Sequence, residues 1–186
     1  MTGLTMLWIP IVVSAVLVFI ASSIIHMVLP WHKNDNRAVP DEERFRNAVR
    51  PLALPPGDYV VPRPTSMADC KTPEYAEKML QGPVMVFTVI PNGPMTMNRS
   101  LVQWFVFCVV VSILAAYVAG AALPPGTQYL RVFQIAGAAA FIGHAVAAWP
   151  VSIWYGRAWS TTIRSTIDAL IFALLTAGTF GWLWPH

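Results

Sequence analysis

Long apolar segments dominate this chain, and one polar block separates the first of them from the other three. Residues 4–29, 101–123, 132–155 and 163–184 are nearly free of charged side chains. Each is long enough to cross a hydrocarbon core about 30 Å thick as a helix that rises about 1.5 Å per residue. Because lipid offers no partner to backbone polar groups, these segments must be helical. The pattern predicts an all-α integral membrane protein, a bundle of four transmembrane helices.

The polar block, residues 30–100, is predicted to be an ordered Pro-rich domain between helices 1 and 2. It contains eleven of the sixteen prolines, which exclude one long helix. Short helices are expected over residues 40–50 and 73–80. Residues 84–90 form the one β-type run, which either pairs with residues 59–61 or lies at the membrane interface.

Composition agrees with a membrane protein and excludes two other classes. The 186 residues are 56% hydrophobic and only 11% charged, with a mean hydropathy of +0.55. Soluble domains carry about 25% charged residues, so a water-soluble globule is excluded. The net charge of +3 is too small for a nucleic-acid-binding surface, and no nucleic-acid partner is expected.

Basic residues near the helix ends predict the orientation of the bundle. Lys33, Arg37, Arg99 and Arg157 follow or precede helix ends on one side of the membrane, whereas Arg131 is the only such residue on the other. Because cytoplasmic loops carry the excess of Lys and Arg, residues 31–99 are predicted to be cytoplasmic and both termini to lie outside.

Several phrases of the sequence resemble a family of small bacterial multi-pass inner-membrane proteins to which no activity is assigned. These phrases are residues 22–33, beginning Ser-Ser-Ile-Ile-His, residues 54–64, beginning Leu-Pro-Pro-Gly-Asp, and residues 154–160 and 174–185. The resemblance implies a bacterial inner (cytoplasmic) membrane and nothing about mechanism.

Ionisable groups inside the predicted helices give the sharpest candidate site. Arg164 and Asp168 are four residues apart and share one helix face, and His26 lies at a similar depth, about 5–7 Å below the same surface. We therefore predict a polar cluster of His26, Arg164 and Asp168. Such a cluster fastens two helices together, with Arg164 reaching the interface, or takes part in a proton or ion step, or binds a cofactor or substrate.

His144 is a second candidate, and it falls in a stripe of small residues typical of a helix packing face. It lies about 12 Å deeper than His26, which weakens the case that the two histidines ligate one haem b. His26 and His32, with Asp35 nearby, could in principle ligate a metal. Pro30 interrupts the helix between the two histidines, so no metal site is expected, and no cofactor is predicted.

No catalytic motif is present, so no catalytic residue is assigned and an enzyme is not favoured. The leading hypothesis is a non-enzymatic accessory or scaffold subunit that lies in the lipid bilayer and binds other membrane proteins or a second copy of itself. Two alternatives stay open. One is a small transport or proton-coupled protein that uses the His26, Arg164 and Asp168 cluster, and the other is a haem-binding redox subunit.

Overall fold

The computed structural model describes residues 1–94 and 96–186, and it divides into two compact units. The first, which we call the bundle, comprises residues 1–36 and 96–186, and the second, the inserted unit, comprises residues 37–95. In chain order the elements are α1 (Trp8–Ser23), α2 (Glu42–Val49), β1 (Gly57–Val61), α3 (Pro73–Gln81), β2 (Met85–Val89), α4 (Asn98–Ala122), α5 (Tyr129–Ala145), α6 (Trp149–Tyr155) and α7 (Trp159–Trp182).

Four helical segments of the bundle are long and apolar enough to cross a membrane, which confirms the predicted number of spans. They are Leu4–Val28, Asn98–Ala122, Tyr129–Tyr155 and Trp159–Trp182. Three of them begin three or four residues before the apolar segment that predicted them. Hydropathy marks where the hydrocarbon begins, whereas backbone hydrogen bonding continues through polar residues such as Asn98.

Prolines shape two of these spans. Pro150 has no amide hydrogen and its ring crowds the carbonyl four residues earlier. The third span accordingly changes from α5 to a 3-10 turn at Val146–Ala148 before α6 begins. The first span ends in a π-helical turn, Ile24–Val28, and Pro30 then starts a separate short 3-10 turn.

Small side chains hold the spans together. The buried face of α4 includes Cys108, Ser112, Ala116 and Gly120, and α7 contributes Ala169, Ala173 and Ala177 to its contact with α5. A Cβ on Gly137 would lie 2.9 Å from the Cβ of Ala177. Because lipid removes the hydrophobic driving force between helices, such close backbone approach is what stabilises their association.

The N-terminal residues close one end of the bundle. The amide of Thr2 donates to the carbonyl of Gly120 at 2.7 Å, and its hydroxyl donates to the carbonyl of Leu123 at 2.9 Å. Both carbonyls lie at the end of α4, where no helical N–H remains to satisfy them. Thr2 is thus a cap supplied by another part of the chain.

The inserted unit is a two-stranded ribbon with two short helices. β1 pairs antiparallel with β2, which places Tyr59 opposite Phe87, and their rings stack 5.5 Å apart. Asp41 accepts from the amide of Arg44 at the start of α2, and Thr72 caps α3 in the same way. None of the unit's described residues is buried, so it lacks a core of its own.

Gly120→Ala is expected to destabilise the bundle, because the added Cβ would collide with the carbonyl oxygen of Thr2. Overpacking of this kind lowers the free energy of unfolding by roughly 1–3 kcal/mol. Gly178→Ala is the matched control, since its Cβ would meet only the Tyr129 hydroxyl at an ordinary 3.7 Å. Thermal unfolding in detergent measures both variants. Equal stability of the two would contradict the proposed closeness of the N-terminal residues to α4.

Candidate functional site

The break in the chain after the first span brings two histidines together. His26 lies in the last turn of that span, and His32 lies in the 3-10 turn that begins at Pro30. Because Leu29 is extended, the chain changes direction between the two turns. The imidazole rings of His26 and His32 consequently stack, with centroids 4.4 Å apart and planes 6° from parallel.

His32 lies between two carboxylates. Its Nε2 is 2.7 Å from Oδ2 of Asp168 on α7, and its Nδ1 is 2.7 Å from Oδ2 of Asp35. Arg164, one turn before Asp168, donates to the other oxygen of Asp35. Asp168 is thus connected to His32, His32 to Asp35, and Asp35 to Arg164, so the polar network begins and ends on α7.

His26 is the more exposed of the two histidines, and its tautomer follows from its hydrogen bond. Its Nδ1 lies 3.0 Å from the backbone carbonyl oxygen of Ser22. A carbonyl oxygen only accepts, so Nδ1 carries the proton and donates it. In the neutral ring this leaves Nε2 with a free lone pair.

Asp168 is the buried member of the cluster, with 3% of its surface exposed. Its Oδ2 accepts from His32, but its Oδ1 is buried and has no hydrogen-bond partner among the residues that the structure describes. A buried carboxylate oxygen without a partner is unfavourable, and native proteins rarely retain one without a reason.

The electrostatics at the rim of the cluster favour an ionised Asp35. Partial burial raises the pKa of this carboxyl, but the hydrogen bond from His32 and the positive charges of His32, Arg164 and Arg157 outweigh it. The net result is a pKa below the ordinary 3.8. Asp35 therefore stays negatively charged well into acid conditions and keeps its ion pair with Arg164.

A cavity of about 670 Å³ adjoins the cluster. Arg164 and Asp168 lie at its polar edge together with Asn34. The remaining wall is mostly apolar and is contributed by the end of the first span and by α7: Ile25, Leu29, Trp31, Ile167 and Ile171. A small ligand in this cavity would lie against the carboxylate of Asp168.

The three residues predicted from the sequence lie in one cluster, but they are connected through His32 and Asp35, which the sequence suggested only as candidate metal ligands with His26. The residue hydrogen-bonded to Asp168 is His32 rather than His26, and the carboxylate paired with Arg164 is Asp35 rather than Asp168. Both partners lie beyond Pro30 and so fell outside the predicted helix. The sequence feature that could have identified them is the three-residue spacing of His32 and Asp35 directly after the helix break at Pro30.

His144 lies apart from this cluster, against aromatic rings in the bundle. Its ring centroid is 5.4 Å from that of Phe172, 5.5 Å from Phe107 and 6.3 Å from Trp104. Its Nδ1 is buried and has no partner among the described residues. The prediction that His144 faces the interior of the bundle agrees with these contacts.

Comparisons with known proteins do not extend this description. The chain matches no protein-family model, and neither the curated proteins nor the solved structures include a chain similar to it. Functional inference therefore depends on the residues and their geometry.

Arg164→Gln is expected to lower the free energy of unfolding by roughly 1–3 kcal/mol, because it removes the Arg164 ion pair from the partly buried carboxylate of Asp35, which keeps only His32. Arg131→Gln is the control, since Arg131 is exposed and forms no ion pair with any described residue. Unfolding followed by circular dichroism in detergent compares the two. Equal losses would show that the Arg164 pair contributes nothing to stability.

Proposed function

We propose that this chain is a non-enzymatic accessory subunit of a membrane assembly and that the inserted unit binds a partner membrane protein. The observation that supports this proposal is the exposure of the whole inserted unit. Its helices and strands are regular, yet none of its described residues is buried. Large apolar side chains such as Leu52, Met67, Leu80 and Ile90 are 64–88% exposed.

Such a unit needs a binding surface to be stable as an ordered structure. Ordering the backbone costs about 1–2 kcal/mol per residue, which burial of apolar surface must offset. A unit of this size with no buried side chain has little burial to offset that cost. Contact with another molecule would cover these apolar side chains and supply the missing stabilisation.

One groove of the inserted unit indicates the chemistry of the partner's binding surface. Phe45 and Val49 of α2 and Ile90 after β2 form its apolar wall, and the cavity between them measures about 690 Å³. Arg46 and Arg50 line the same groove. The chemistry that complements this surface is an apolar segment of a partner protein that carries acidic side chains.

The charge balance of the inserted unit favours a protein over the lipid surface. Attraction to anionic headgroups contributes about 1 kcal/mol for each Lys or Arg, and it requires a basic excess. The unit has none, because seven basic and seven acidic residues cancel: Arg37, Arg44, Arg46, Arg50, Arg63, Lys71 and Lys78 against Asp41, Glu42, Glu43, Asp58, Asp69, Glu74 and Glu77.

The packing of the bundle also favours an accessory role over the two alternatives. The close contact of Gly137 with Ala177 leaves no room for a path between α5 and α7. A haem between His26 and His144 would require both rings to leave their present neighbours, His32 and Phe172.

Site-specific cross-linking tests the proposed docking groove. A photo-reactive amino acid at Ile90 of the full chain, in native membranes, is expected to cross-link to one protein, through a segment that contains acidic and apolar residues. The same group at Leu80, which is 88% exposed and does not line the groove, is the position control.

A charge reversal completes this test. Arg46→Glu with Arg50→Glu is expected to abolish the Ile90 cross-link, whereas Lys71→Glu with Lys78→Glu changes the charge equally and leaves it intact. Cross-links to lipid alone, or a protein cross-link that survives the Arg46 and Arg50 reversal, would contradict the proposal.

For its setting, we propose a bacterial inner membrane with residues 31–99 in the cytoplasm and both termini outside. The support is the concentration of Lys33, Arg37, Arg99 and Arg157 at one set of helix ends. A reporter enzyme active only outside the cytoplasm should be active when fused at Gly126 and inactive at Gly57. The reverse pattern would overturn this orientation.

A further inference from the structure

We infer that His26, His32 and Asp168 form a binding site for a divalent transition-metal ion such as Zn²⁺ or Fe²⁺. One ring nitrogen of each histidine and one carboxylate oxygen of Asp168 all lie within 4.8 Å of one another. This inference depends on the bundle alone and is independent of the partner proposed for the inserted unit.

The unpartnered oxygen of Asp168 points to a missing ligand. The side chain is 3% exposed, and its buried Oδ1 has no partner among the described residues. The other oxygen of Asp168 and both oxygens of Asp35 do have partners, in His32 and Arg164. A cation bound to this carboxylate would give Oδ1 the partner that the described residues do not supply.

The surrounding hydrogen bonds are those that usually support histidine ligands. A metal-ligating histidine typically donates its other ring N–H to a carbonyl or carboxylate, which fixes the tautomer and the orientation of the ring. Nδ1 of His26 donates to the Ser22 carbonyl, and Nδ1 of His32 faces Asp35. Arg164 in turn holds Asp35. This leaves Nε2 of His26 free for a metal, whereas Nε2 of His32 lies 2.7 Å from Oδ2 of Asp168 and binds a metal only after it loses the proton of that hydrogen bond.

The ligand set selects the class of metal. Two imidazoles and one carboxylate suit Zn²⁺, Fe²⁺ and their first-row neighbours, whereas Mg²⁺ and Ca²⁺ prefer sites built from oxygen alone. Three protein ligands leave at least one coordination position for water or another small molecule. Asp168, though neither histidine, lines the cavity of about 670 Å³, which gives such a molecule space next to this ligand.

Metal binding requires a small rearrangement. The stacked rings are 6° from parallel, and in-plane lone pairs of parallel rings do not converge on one point. His26 is exposed and makes a single side-chain hydrogen bond, so its ring is the one that tilts toward the ion. The proton on Nε2 of His32 leaves as the ion binds, because a metal ligand needs a free lone pair.

Zn²⁺ binding by the full chain in detergent tests the site. The protein carries a purification tag without histidines, is stripped with a chelator and is titrated with Zn²⁺ against a chromophoric competitor. One equivalent is expected to bind in wild type, and neither Mg²⁺ nor Ca²⁺ in tenfold excess should displace it.

Four variants separate ligands from supporting residues. Asp168→Asn and His32→Ala are expected to weaken Zn²⁺ binding more than about 100-fold, a larger loss than Asp35→Asn, which removes only a supporting bond and should cost about 10–100-fold. His26→Gln changes an exposed ring, so it tests a ligand without endangering the fold. It should weaken binding at least about tenfold.

His186→Ala is the control for surface histidines and should bind Zn²⁺ as wild type does. The site is ruled out if wild type binds no stoichiometric Zn²⁺. It is also ruled out if binding is the same in wild type, His26→Gln and Asp168→Asn.

Discussion

The ionisable side chain of Asp168 is the constraint around which one end of the bundle is organised. Asp168 lies on α7, and the packing of the spans leaves only 3% of its surface exposed. A carboxylate in such surroundings is energetically costly unless charged and hydrogen-bonding groups compensate it. His32 supplies the compensation at 2.7 Å, Asp35 orients His32 from its other nitrogen, and Arg164 balances the second carboxylate. The turn at Pro30 brings His32 and Asp35 to the part of α7 that carries Arg164 and Asp168.

The rest of the bundle depends on a different kind of interaction. Between α4, α5 and α7 many of the contacts are made by alanine and glycine, whose small volume lets the backbones approach, alongside larger residues such as Val111 and Phe180. This packing is tight and leaves little freedom for individual side chains. The polar end, with an adjoining cavity of about 670 Å³ and one exposed histidine, gives a ligand room to bind.

The inserted unit has the opposite character. It has caps, a ribbon and regular helices, so its local sequence specifies local structure well. It has no interior, and its apolar side chains remain accessible. A partner-binding role for this unit and a metal-binding role for the bundle are compatible, because the two roles use different residues and different physical properties of the chain.

The sequence by itself determined the four spanning helices, the two short helices and the sharing of one face of α7 by Arg164 and Asp168. These features follow from hydropathy, capping residues and helical periodicity, which are local. The pairing of residues 59–61 with residues 84–90 was one of two predicted outcomes, and the register was decided by the structure.

Only the tertiary structure decided which groups meet. That His32 rather than His26 bonds Asp168 depends on the direction the chain takes after Leu29 and on the rotation of α7 against α1. The first follows locally from Leu29 and Pro30, whereas the second is set by the packing of helices that are far apart in the sequence. The expectation of no metal site considered only the spacing of His26 and His32 along one helix. The proximity of Asp168, 136 residues after His32, is not visible in that spacing.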